Sequence, residues 1–442
     1  MSPTVVTILM FVALIVGLLM GHPLAFVLGG LATIFGLIAW GPQCFPLFAN
    51  RIYGTMDNFV LVATPLFIFM ANLLVKSGIA ESLYSSSRYL LGPIRGGMAM
   101  AVVLVCTIFA ACTGIVGASV VTMGVLATPL MLKYGYQKEL TTGAIAAGGT
   151  LGILIPPSVM LVVMGSYAGV SVGRLFMAAI VPGLILSGLY LSFIAIRCGL
   201  RPELGPTLSP EERAAVPMRK RISGILVHLV PPVLLILGVL GSIFTGIATP
   251  TEAAGVGAFL AFLMVLCLRR FSWQGLKEAV LATAKTNTMV LIILCGAACF
   301  TSVFLGIGGG DVVTNFVLGL GLGKWGIFVL MMFIVFVLGM FIDWIGITMI
   351  TFPIFLPIAD TLGFDPIWFI TMIAINLQAS FLTPPFGYAL FYLKGIVPEG
   401  VTIMHIYRGI VPFVILMIIG LVICVLNPWT ALWLPNLMIG GG

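Results

Sequence analysis

Charged side chains are scarce in this chain. Asp, Glu, Lys and Arg make up 7% of its 442 residues, apolar residues make up 61%, and the mean hydropathy is +1.24. Because a soluble globular domain has about 25% charged residues, this composition excludes a soluble enzyme or a soluble binding module. The apolar runs are about twenty residues long, which fits membrane-spanning helices rather than the short alternating strands of a barrel. We therefore predict an all-α integral membrane protein.

The chain also lacks the motifs of several enzyme classes. It has no Walker phosphate loop, Ser-His-Asp set or HExxH motif, so nothing in it indicates ATP hydrolysis or proteolysis. A membrane enzyme acting on an isoprenoid or lipid would need clustered acids such as a DDxxD run, and the chain has none. The cysteines show no CxxC spacing and the histidines are far apart, which favours buried thiols over disulfides or a metal centre. We expect no enzyme activity and no cofactor.

No basic segment precedes the first apolar run. The first charged residue is Arg51, so Val5–Leu19 is predicted to be a retained span and not a cleaved secretion signal. The net charge of +7 lies in the loops. In a membrane protein such charge concerns topology, and we expect a lipid bilayer and no nucleic acid among the partners.

Two adjacent prolines interrupt an apolar run at two places in the chain. Pro156-Pro157 recurs as Pro384-Pro385, 228 positions later. Two prolines remove two backbone donors and clash with the preceding turn, so a helix cannot pass through them unbroken. At membrane depth, irregular backbone is tolerated only when it is buried in protein or lines a cavity. Interrupted spans in matching positions of two halves point to the substrate and ion site of a secondary transporter.

The two halves of the chain align almost without gaps. The same offset of 228 carries Pro129 onto Pro357 and the segment 134–136 onto 362–364. Agreement at so many prolines and glycines indicates an internal duplication. We predict three parts: a first repeat over 1–200, a cytoplasmic loop over 201–222, and a second repeat over 223–442.

Each half contains one apolar segment that is too long for a single crossing. These segments, 98–133 and 325–360, have polar or glycine residues at their middle. We predict that both are re-entrant helical hairpins, the first entering from the cytoplasmic side and the second from the periplasmic side. Broken helices follow at 139–168 and 366–395. Because a hairpin makes no net crossing, each half crosses five times and the repeat is inverted, as in ion transporters of the elevator type.

The basic residues follow this topology. Of the 20 Lys and Arg residues, the arrangement places fifteen inside and five outside, which agrees with the positive-inside rule. Both chain ends are then predicted to be periplasmic. The five residues assigned to the outside are Arg51, Arg174, Lys324, Lys394 and Arg408.

Helix ends near the membrane midplane suit an anion and a sodium ion together. Helix N-termini offer N–H groups to a carboxylate, and unwound carbonyls and hydroxyls offer oxygens to sodium. Candidate ligands of a first sodium site are Thr113, Ser119, Gly149, Thr150, Gly152 and Pro157. Candidates for a second site are Gly346, Thr348, Ser380 and Thr383. Candidate substrate-binding residues are Asn72, Gly114, Gly117, Ser158, Asp343, Asn376, Gln378 and Gly387.

Two interpretations of these residues stay open. An acid inside a membrane segment indicates a functional site. The repeat partner of Asp343 is Ile115, so an acid at this position is not a folding requirement that the two halves share. Asp343 could equally cap the second arm of its hairpin. Small polar residues in membrane helices mostly serve close packing, so each hydroxyl named above could pack rather than bind an ion.

Four segments carry a resemblance to a known family. They are Ala63–Ile68 (ATPLFI), Gly149–Ser158 (GTLGILIPPS), Leu175–Pro182 (LFMAAIVP) and Leu382–Gly387 (LTPPFG). Together they resemble the large membrane subunit of tripartite ATP-independent periplasmic (TRAP) transporters, from residue 1 to about residue 430.

The resemblance implies a multi-pass importer in the bacterial cell inner membrane, driven by a sodium gradient. The cargo would be an organic acid such as a dicarboxylate, a 2-oxo acid or a sugar acid. A periplasmic substrate-binding protein would deliver it, and a small multi-span membrane subunit on a separate chain would complete the permease. The resemblance also implies an elevator in which both hairpins and both broken helices move together.

The resemblance further implies which residues bind sodium. By motif position they are Thr113, Ser119, Gly152, Ile155 and Pro157 in the first half, and Gly346, Ser380 and Thr383 in the second. The first hairpin departs from the family pattern, because Thr113–Ser119 stands where a Ser-Gly-Ser type run is commoner. The alternative function is a stand-alone sodium-coupled anion symporter of the divalent-anion type, which needs no binding protein.

Overall fold

A computed structural model describes residues 2–114, 116–209, 211, 217–384 and 387–438. This part of the chain contains helices and turns and no strand. Within it, ten helical stretches are long and apolar enough to cross a membrane. The all-α membrane fold predicted from composition is confirmed.

In the first half, the helices follow one another with short turns between them. They are α1 (Pro3–Leu19), α2 (Leu24–Trp40), α3 (Cys44–Met56), α4 (Ala63–Lys76), α5 (Ile79–Leu91), α6 (Gly97–Thr113), α7 (Val116–Lys133), α8 (Lys138–Leu154), α9 (Val159–Ala168) and α10 (Val172–Leu200).

The second half follows the same order. Its helices are α11 (Met218–Phe244), α12 (Pro250–Cys267), α13 (Trp273–Gly306), α14 (Gly309–Gly319), α15 (Gly323–Gly339), α16 (Trp344–Thr361), α17 (Pro366–Phe381), α18 (Tyr388–Lys394), α19 (Ile403–Leu426) and α20 (Trp429–Leu437).

The duplicated pattern reappears as helices in one register. Helices α16 and α17 begin 228 residues after α7 and α8, respectively. Helices α6 and α7 form the first helical hairpin, and α15 and α16 form the second. The first broken helix is α8 and α9, interrupted at 155–158, and the second is α17 and α18. Both hairpins and both interruptions are therefore where the sequence predicts them, although Pro385 lies outside the described residues.

The two broken helices form the centre of the protein. Every residue of α8 from Leu140 to Leu154 is buried, and so is every residue of α17 from Ile367 to Phe381. Helix α8 packs against α6, α7 and α19, while α17 packs against α15 and α19. These two helices are therefore surrounded by other helices of the protein over most of their length.

A second group of helices packs around α13. This helix contacts α2, α3 and α4, and α12 packs against α4 and α11. Contacts between the two groups run mainly from α4 and α5 to α6, and from α13 to α16. The fold thus consists of a core built on the broken helices and a surrounding layer built on α13.

The two halves differ where an amphipathic connector leads into a span. In the first half the connector α3 ends at Met56, and the amide oxygen of Asn58 accepts from the N–H of Val60 to begin a new turn. The second half has no such interruption. There the 34-residue helix α13 runs straight through, since it contains no proline and no comparable cap.

The assignment of two basic residues to the outer side was wrong. The Lys138 ammonium donates to the carbonyl oxygen of Gly400 at 2.7 Å, and Lys394 donates to the carbonyl oxygen of Val401. His405 lies 4.0 Å from Glu139, so the start of α19, which carries Arg408, is on the same side as Lys138. The second broken helix therefore crosses before Lys394, and seventeen of the 20 basic residues fall on the predicted inner side.

The crossing of α8 and α19 depends on two glycines in direct backbone contact. A Cβ added at Gly143 would collide with the carbonyl oxygen of Gly409, and one added at Gly409 would collide with the carbonyl oxygen of Glu139. At Gly188, on an open face of α10, an added Cβ would meet nothing within 4 Å.

We expect Gly143→Ala to destabilise the protein by about 1–3 kcal/mol, because an overpacked contact must shift backbone. Gly188→Ala is the matched control and should be neutral or stabilise by up to about 1 kcal/mol. Thermal unfolding in a non-ionic detergent, followed by Trp fluorescence, measures both. Equal melting temperatures for the two variants would contradict the close crossing.

Candidate functional site

The first hairpin turn lies directly on the first helix break. Gly114, at the turn, has φ +59°, and a Cβ added there would lie 3.1 Å from the carbonyl oxygen of Pro157 and 3.2 Å from the nitrogen of Val159. Only glycine adopts this conformation easily and allows so close an approach. The hairpin turn and the break therefore form one unit.

The break replaces the hydrogen bonds that its prolines remove. The N–H that would normally satisfy the carbonyl of Ile153 belongs to position 157, where proline has none. The Ser158 hydroxyl donates to this carbonyl instead, and it also accepts from the N–H of Leu161 at 3.4 Å to cap α9. The carbonyl of Gly152 loses its helical donor to Pro156 in the same way, which makes it available as an ion ligand.

Helix α7 packs against α8, which carries other first-site candidates. A Cβ added at Gly149 would lie 3.1 Å from the nitrogen of Val120, so the buried Ser119 lies against the last turns of α8. The Thr150 hydroxyl donates to Ala147 O at 2.9 Å and keeps lone pairs free to accept a cation. The structure thus gathers the first-site candidates, while the Thr113 side chain lies outside the described part.

The second hairpin and break make a related contact. A Cβ added at Gly339, where α15 ends, would collide with the hydroxyl of Ser380 on α17. Both Ser380 and Thr383 donate to carbonyls of their own helix, at 2.8 and 2.7 Å. Gly346 differs, since its Cα faces Leu24 at the start of α2. Among the candidate ligands of the second site, Ser380 therefore packs against the end of α15, whereas Gly346 packs against α2.

Both hairpins and both breaks meet at a central cavity of about 210 Å³. Its described lining contains neither Lys nor Arg, and it combines helix ends, apolar side chains and the carboxylate of Asp343. The lining residues are Ile68, Gly114, Val116, Gly117, Ile153, Val159, Thr286, Met289, Val290, Asp343, Trp344, Ile345, Phe381 and Tyr392.

Asp343 performs the capping role that the sequence left open. Its carboxylate accepts from the N–H of Gly346 at 3.0 Å and begins α16. The residue is half-buried and lines the central cavity as well. Capping and contact with a bound solute are thus compatible, and its repeat partner Ile115 lies outside the described residues.

A larger cavity of about 830 Å³ lies next to the central one. Its walls contain Val163, Leu294 and Met349, each four residues beyond a residue of the central lining on α9, α13 and α16. Four residues are about one helical turn, or about 6 Å. We call this space the outer vestibule, because it also contains the predicted outer residues Arg51 and Asn58.

Comparison with known proteins identifies the family. The profile of the family described as tripartite ATP-independent periplasmic transporter, DctM component, matches residues 11–430. The chain belongs to this family. The C4-dicarboxylate TRAP transporter large permease protein DctM of Pseudomonas aeruginosa is 32% identical over 413 residues, which cover 92% of this chain and 93% of that protein. Membership makes the chain a membrane transport permease rather than an enzyme.

Two further matches describe the family and the fold. The sialic acid TRAP transporter large permease protein SiaM of Vibrio cholerae is 28% identical over 424 residues, covering 96% of each chain. The crystal structure of the Alcanivorax borkumensis YdaH transporter matches with a TM-score of 0.65 and 14% identity, covering 99% of this chain and 100% of that one. This second likeness concerns the fold alone.

Several of the predicted substrate residues of this DctM chain lie away from the central lining. The Asn72 amide donates to the Thr283 hydroxyl at 3.1 Å and joins α4 to α13. The Asn376 amide donates to the carbonyl of Met332 at 2.6 Å and joins α17 to α15. Ser158 and Gly387 lie at the helix breaks, while Gly114, Gly117 and Asp343 do line the cavity.

Gln378 has a different environment. Its side chain is fully buried, and neither its amide oxygen nor its amide nitrogen has a hydrogen-bond partner among the described residues. Buried amides in native proteins are almost always paired, so this group is suited to a cation or a water. The described residues contain no cluster of three His, Cys, Asp or Glu side chains that could hold a metal ion.

Sequence reasoning missed the wall that α4, α13 and α18 contribute. Ile68, Thr286, Met289 and Val290 line the central cavity, and the Tyr392 ring lies over Gly117. These side chains are ordinary for membrane helices, so no local signal distinguishes them. Only the tertiary packing brings them to the site.

Replacement of Gly114 tests the contact between turn and break. We expect Gly114→Ala to abolish most transport, because the new methyl group combines an unfavourable φ of about 1–2 kcal/mol with pressure on Pro157. Gly21→Ala is the matched control, since Gly21 also has positive φ (+80°) but an added Cβ there would meet nothing within 4 Å. Uptake rates in proteoliposomes compare them, and equal rates would contradict the proposed unit.

Proposed function

We propose that this TRAP large permease imports a carboxylated small solute by a sodium-coupled elevator mechanism. The observation that carries the proposal is the central cavity, at which both hairpin turns and both helix breaks meet. Such a meeting of helix ends at matched positions is the arrangement that binds a solute and coupling ions in secondary transporters. The relatives named above carry C4-dicarboxylates and sialic acid according to their names, and both solutes are carboxylates.

The charge of the cavity supports sodium coupling. A carboxylated solute would enter a space whose described lining carries Asp343 and no basic side chain. Two negative groups in a medium of low dielectric constant repel each other strongly. A bound cation offsets that repulsion, so solute and sodium would favour each other's binding. This reciprocity is the thermodynamic basis of coupled transport.

The polar groups around the two breaks support the same proposal. Sodium requires oxygen ligands, and the hydroxyls of Thr150, Ser380 and Thr383 donate to helix carbonyls, so their lone pairs face outward as acceptors. The Gly152 carbonyl and the Gln378 amide oxygen add two more acceptors close to the breaks. The proposed sites therefore lie at Ser119, Gly152, Ile155 and Pro157, and at Gly346, Thr348, Ser380 and Thr383.

The two groups of helices described above support the elevator. The core group carries α8 and α17 with both hairpins, and it would move against the layer that surrounds α13. The tripartite family description supports a small membrane subunit and a periplasmic binding protein as partners. The proposed location is a bacterial inner membrane, with both chain ends on the periplasmic side.

Reconstitution tests the function. The permease, its small subunit and its cognate binding protein loaded with radiolabelled solute should support uptake into proteoliposomes under an inward sodium gradient. Uptake should fall to background without the binding protein or with potassium in place of sodium. Uptake of the free solute without any binding protein would instead favour the alternative, a stand-alone divalent-anion symporter.

Removal of two hydroxyls tests the second ion site. We expect the double variant Ser380→Ala, Thr383→Ala to raise the sodium concentration for half-maximal uptake about tenfold, which corresponds to about 1.4 kcal/mol of lost binding. Thr361→Ala is the matched control, because its hydroxyl makes the same bond to its own helix but is exposed. Wild-type sodium dependence in the double variant would remove these hydroxyls from the site.

Replacement of Asp343 separates its charge from its capping role. Asn caps a helix about as well as Asp, so Asp343→Asn should leave the melting temperature unchanged while reducing uptake at least about tenfold through the lost charge. Asp365→Asn is the matched control, since Asp365 caps α17 with an N–H to oxygen distance of 3.0 Å. Equal uptake in the two variants would show that the charge of Asp343 is not needed.

A further inference from the structure

The outer vestibule contains one kind of formal charge. Arg51 on α3 is the charged residue among its described lining residues, and no acid is present there. Arg51 is exposed, and no carboxylate among the described residues lies within ion-pairing distance of it. A cleft lined by one sign of charge concentrates ions of the opposite sign.

The neutral polar groups of the vestibule are hydrogen-bond partners suited to an anion. Amides and hydroxyls of α3, of the turn at Asn58, and of α9 and α13 line the same space as Arg51. These groups are Asn50, Thr55, Asn58, Ser166, Tyr167 and Thr301. A guanidinium with several neutral donors nearby is the usual recognition set for a carboxylate.

The vestibule also lies beside the central cavity. Its inner wall continues into the central lining on three helices, one turn away on each, at Val163, Leu294 and Met349. An anion held at the vestibule would therefore lie a short distance from the proposed transport site.

Two hydrogen bonds join the walls of the vestibule across the two helix groups. The Asn58 amide donates to the Ser166 hydroxyl at 2.9 Å, and the Tyr167 hydroxyl donates to the Thr301 hydroxyl at 3.2 Å. Helix α9 belongs to the core group, while Asn58 and Thr301 belong to the surrounding layer. Motion of α9 against the layer would break both bonds, so the vestibule in its present form exists only while α9 stays in place.

We propose that the outer vestibule is a separate, low-affinity subsite for small organic carboxylates, in which Arg51 holds the anion before it enters the central cavity. The inference rests on the proposed function for the statement that this anion is the cargo. The positive field that Arg51 creates in the vestibule does not depend on transport, and it is tested without a transport assay.

Thiol labelling measures the field of the vestibule. Thr55 lies one helical turn after Arg51 on the same face, and its hydroxyl donates to the Arg51 carbonyl at 2.9 Å. Thr55→Cys would be labelled in a non-ionic detergent with two methanethiosulfonates, one carrying a sulfonate and one a trimethylammonium group. The rates of the parent chain, which has its own cysteines, are subtracted.

We expect Arg51→Gln to lower the ratio of the sulfonate rate to the ammonium rate about fivefold, even at the dielectric constant of water. Arg51→Lys, which keeps the charge, should leave the ratio within about twofold, and salt at about 1 M should reduce the effect. Gln274→Cys is the control, because it lies at the start of α13, about 40 Å along the helix from Thr301.

An unchanged ratio in Arg51→Gln, or an equal fall at Gln274→Cys, would overturn the proposal. Ser302→Cys, on the α13 wall, repeats the measurement if Thr55→Cys does not fold. An anion-selective vestibule in a protein that fails the uptake assay would support the subsite and reject the proposed function. Sodium-driven uptake with a vestibule that does not select anions would support the proposed function and reject the subsite.

Discussion

The structure depends on how it satisfies the backbone groups that its proline pairs leave without partners. In a membrane interior no water can bond these groups, and each unpaired one costs several kcal/mol. At the first break the Ser158 hydroxyl bonds the Ile153 carbonyl, and the Gly114 turn covers Pro157 and Val159. The hairpin turn and the break thus form one packed unit.

The same solution supports the proposal of a binding site there. A helix break that is fully satisfied by protein would be an ordinary kink. Here two prolines remove more donors than Ser158 can replace, so carbonyl oxygens remain as ligands beside a helix N-terminus. The duplication provides this chemistry twice, and the fold brings both copies to one cavity of about 210 Å³. The proposed cation and anion sites therefore lie next to each other because of the same backbone chemistry.

The copies are not equivalent, and the differences concern function. The first hairpin turn contacts its break through Gly114, whereas the second places the Asp343 carboxylate at the cavity. Helix α13 is continuous where α3 and α4 are separate, and this separation creates the wall of the outer vestibule that carries Arg51.

Much of this architecture could be predicted from the sequence. Pro156-Pro157, its copy and the offset of 228 are local signals, and helices α7, α8, α16 and α17 begin in the predicted register. The assignment of Lys394 to the outer side was wrong and did not follow the predicted topology, in which only one crossing remains between Lys394 and a periplasmic chain end. The contacts of Lys138 and Lys394 agree with the topology.

Residues such as Asn72 and Tyr392 show why the binding site could not be fully predicted from the sequence. A polar amide in a membrane helix gives the same sequence signal whether it joins two helices, as Asn72 does, or contacts a solute. Tyr392 gives no signal at all, although its ring covers Gly117. Side-chain direction across a helix interface is set by packing of distant segments, and a single sequence does not contain that information.

The central claim is that sodium binds at the two helix breaks beside a shared cavity. The most direct measurement is a pair of cryo-electron microscopy maps of the permease with its small subunit, one in sodium and one in potassium. The account predicts density in the sodium map beside Ser119 and Gly152 and beside Ser380 and Thr383, and none there in potassium. Identical maps, or sodium density away from both breaks, would contradict it.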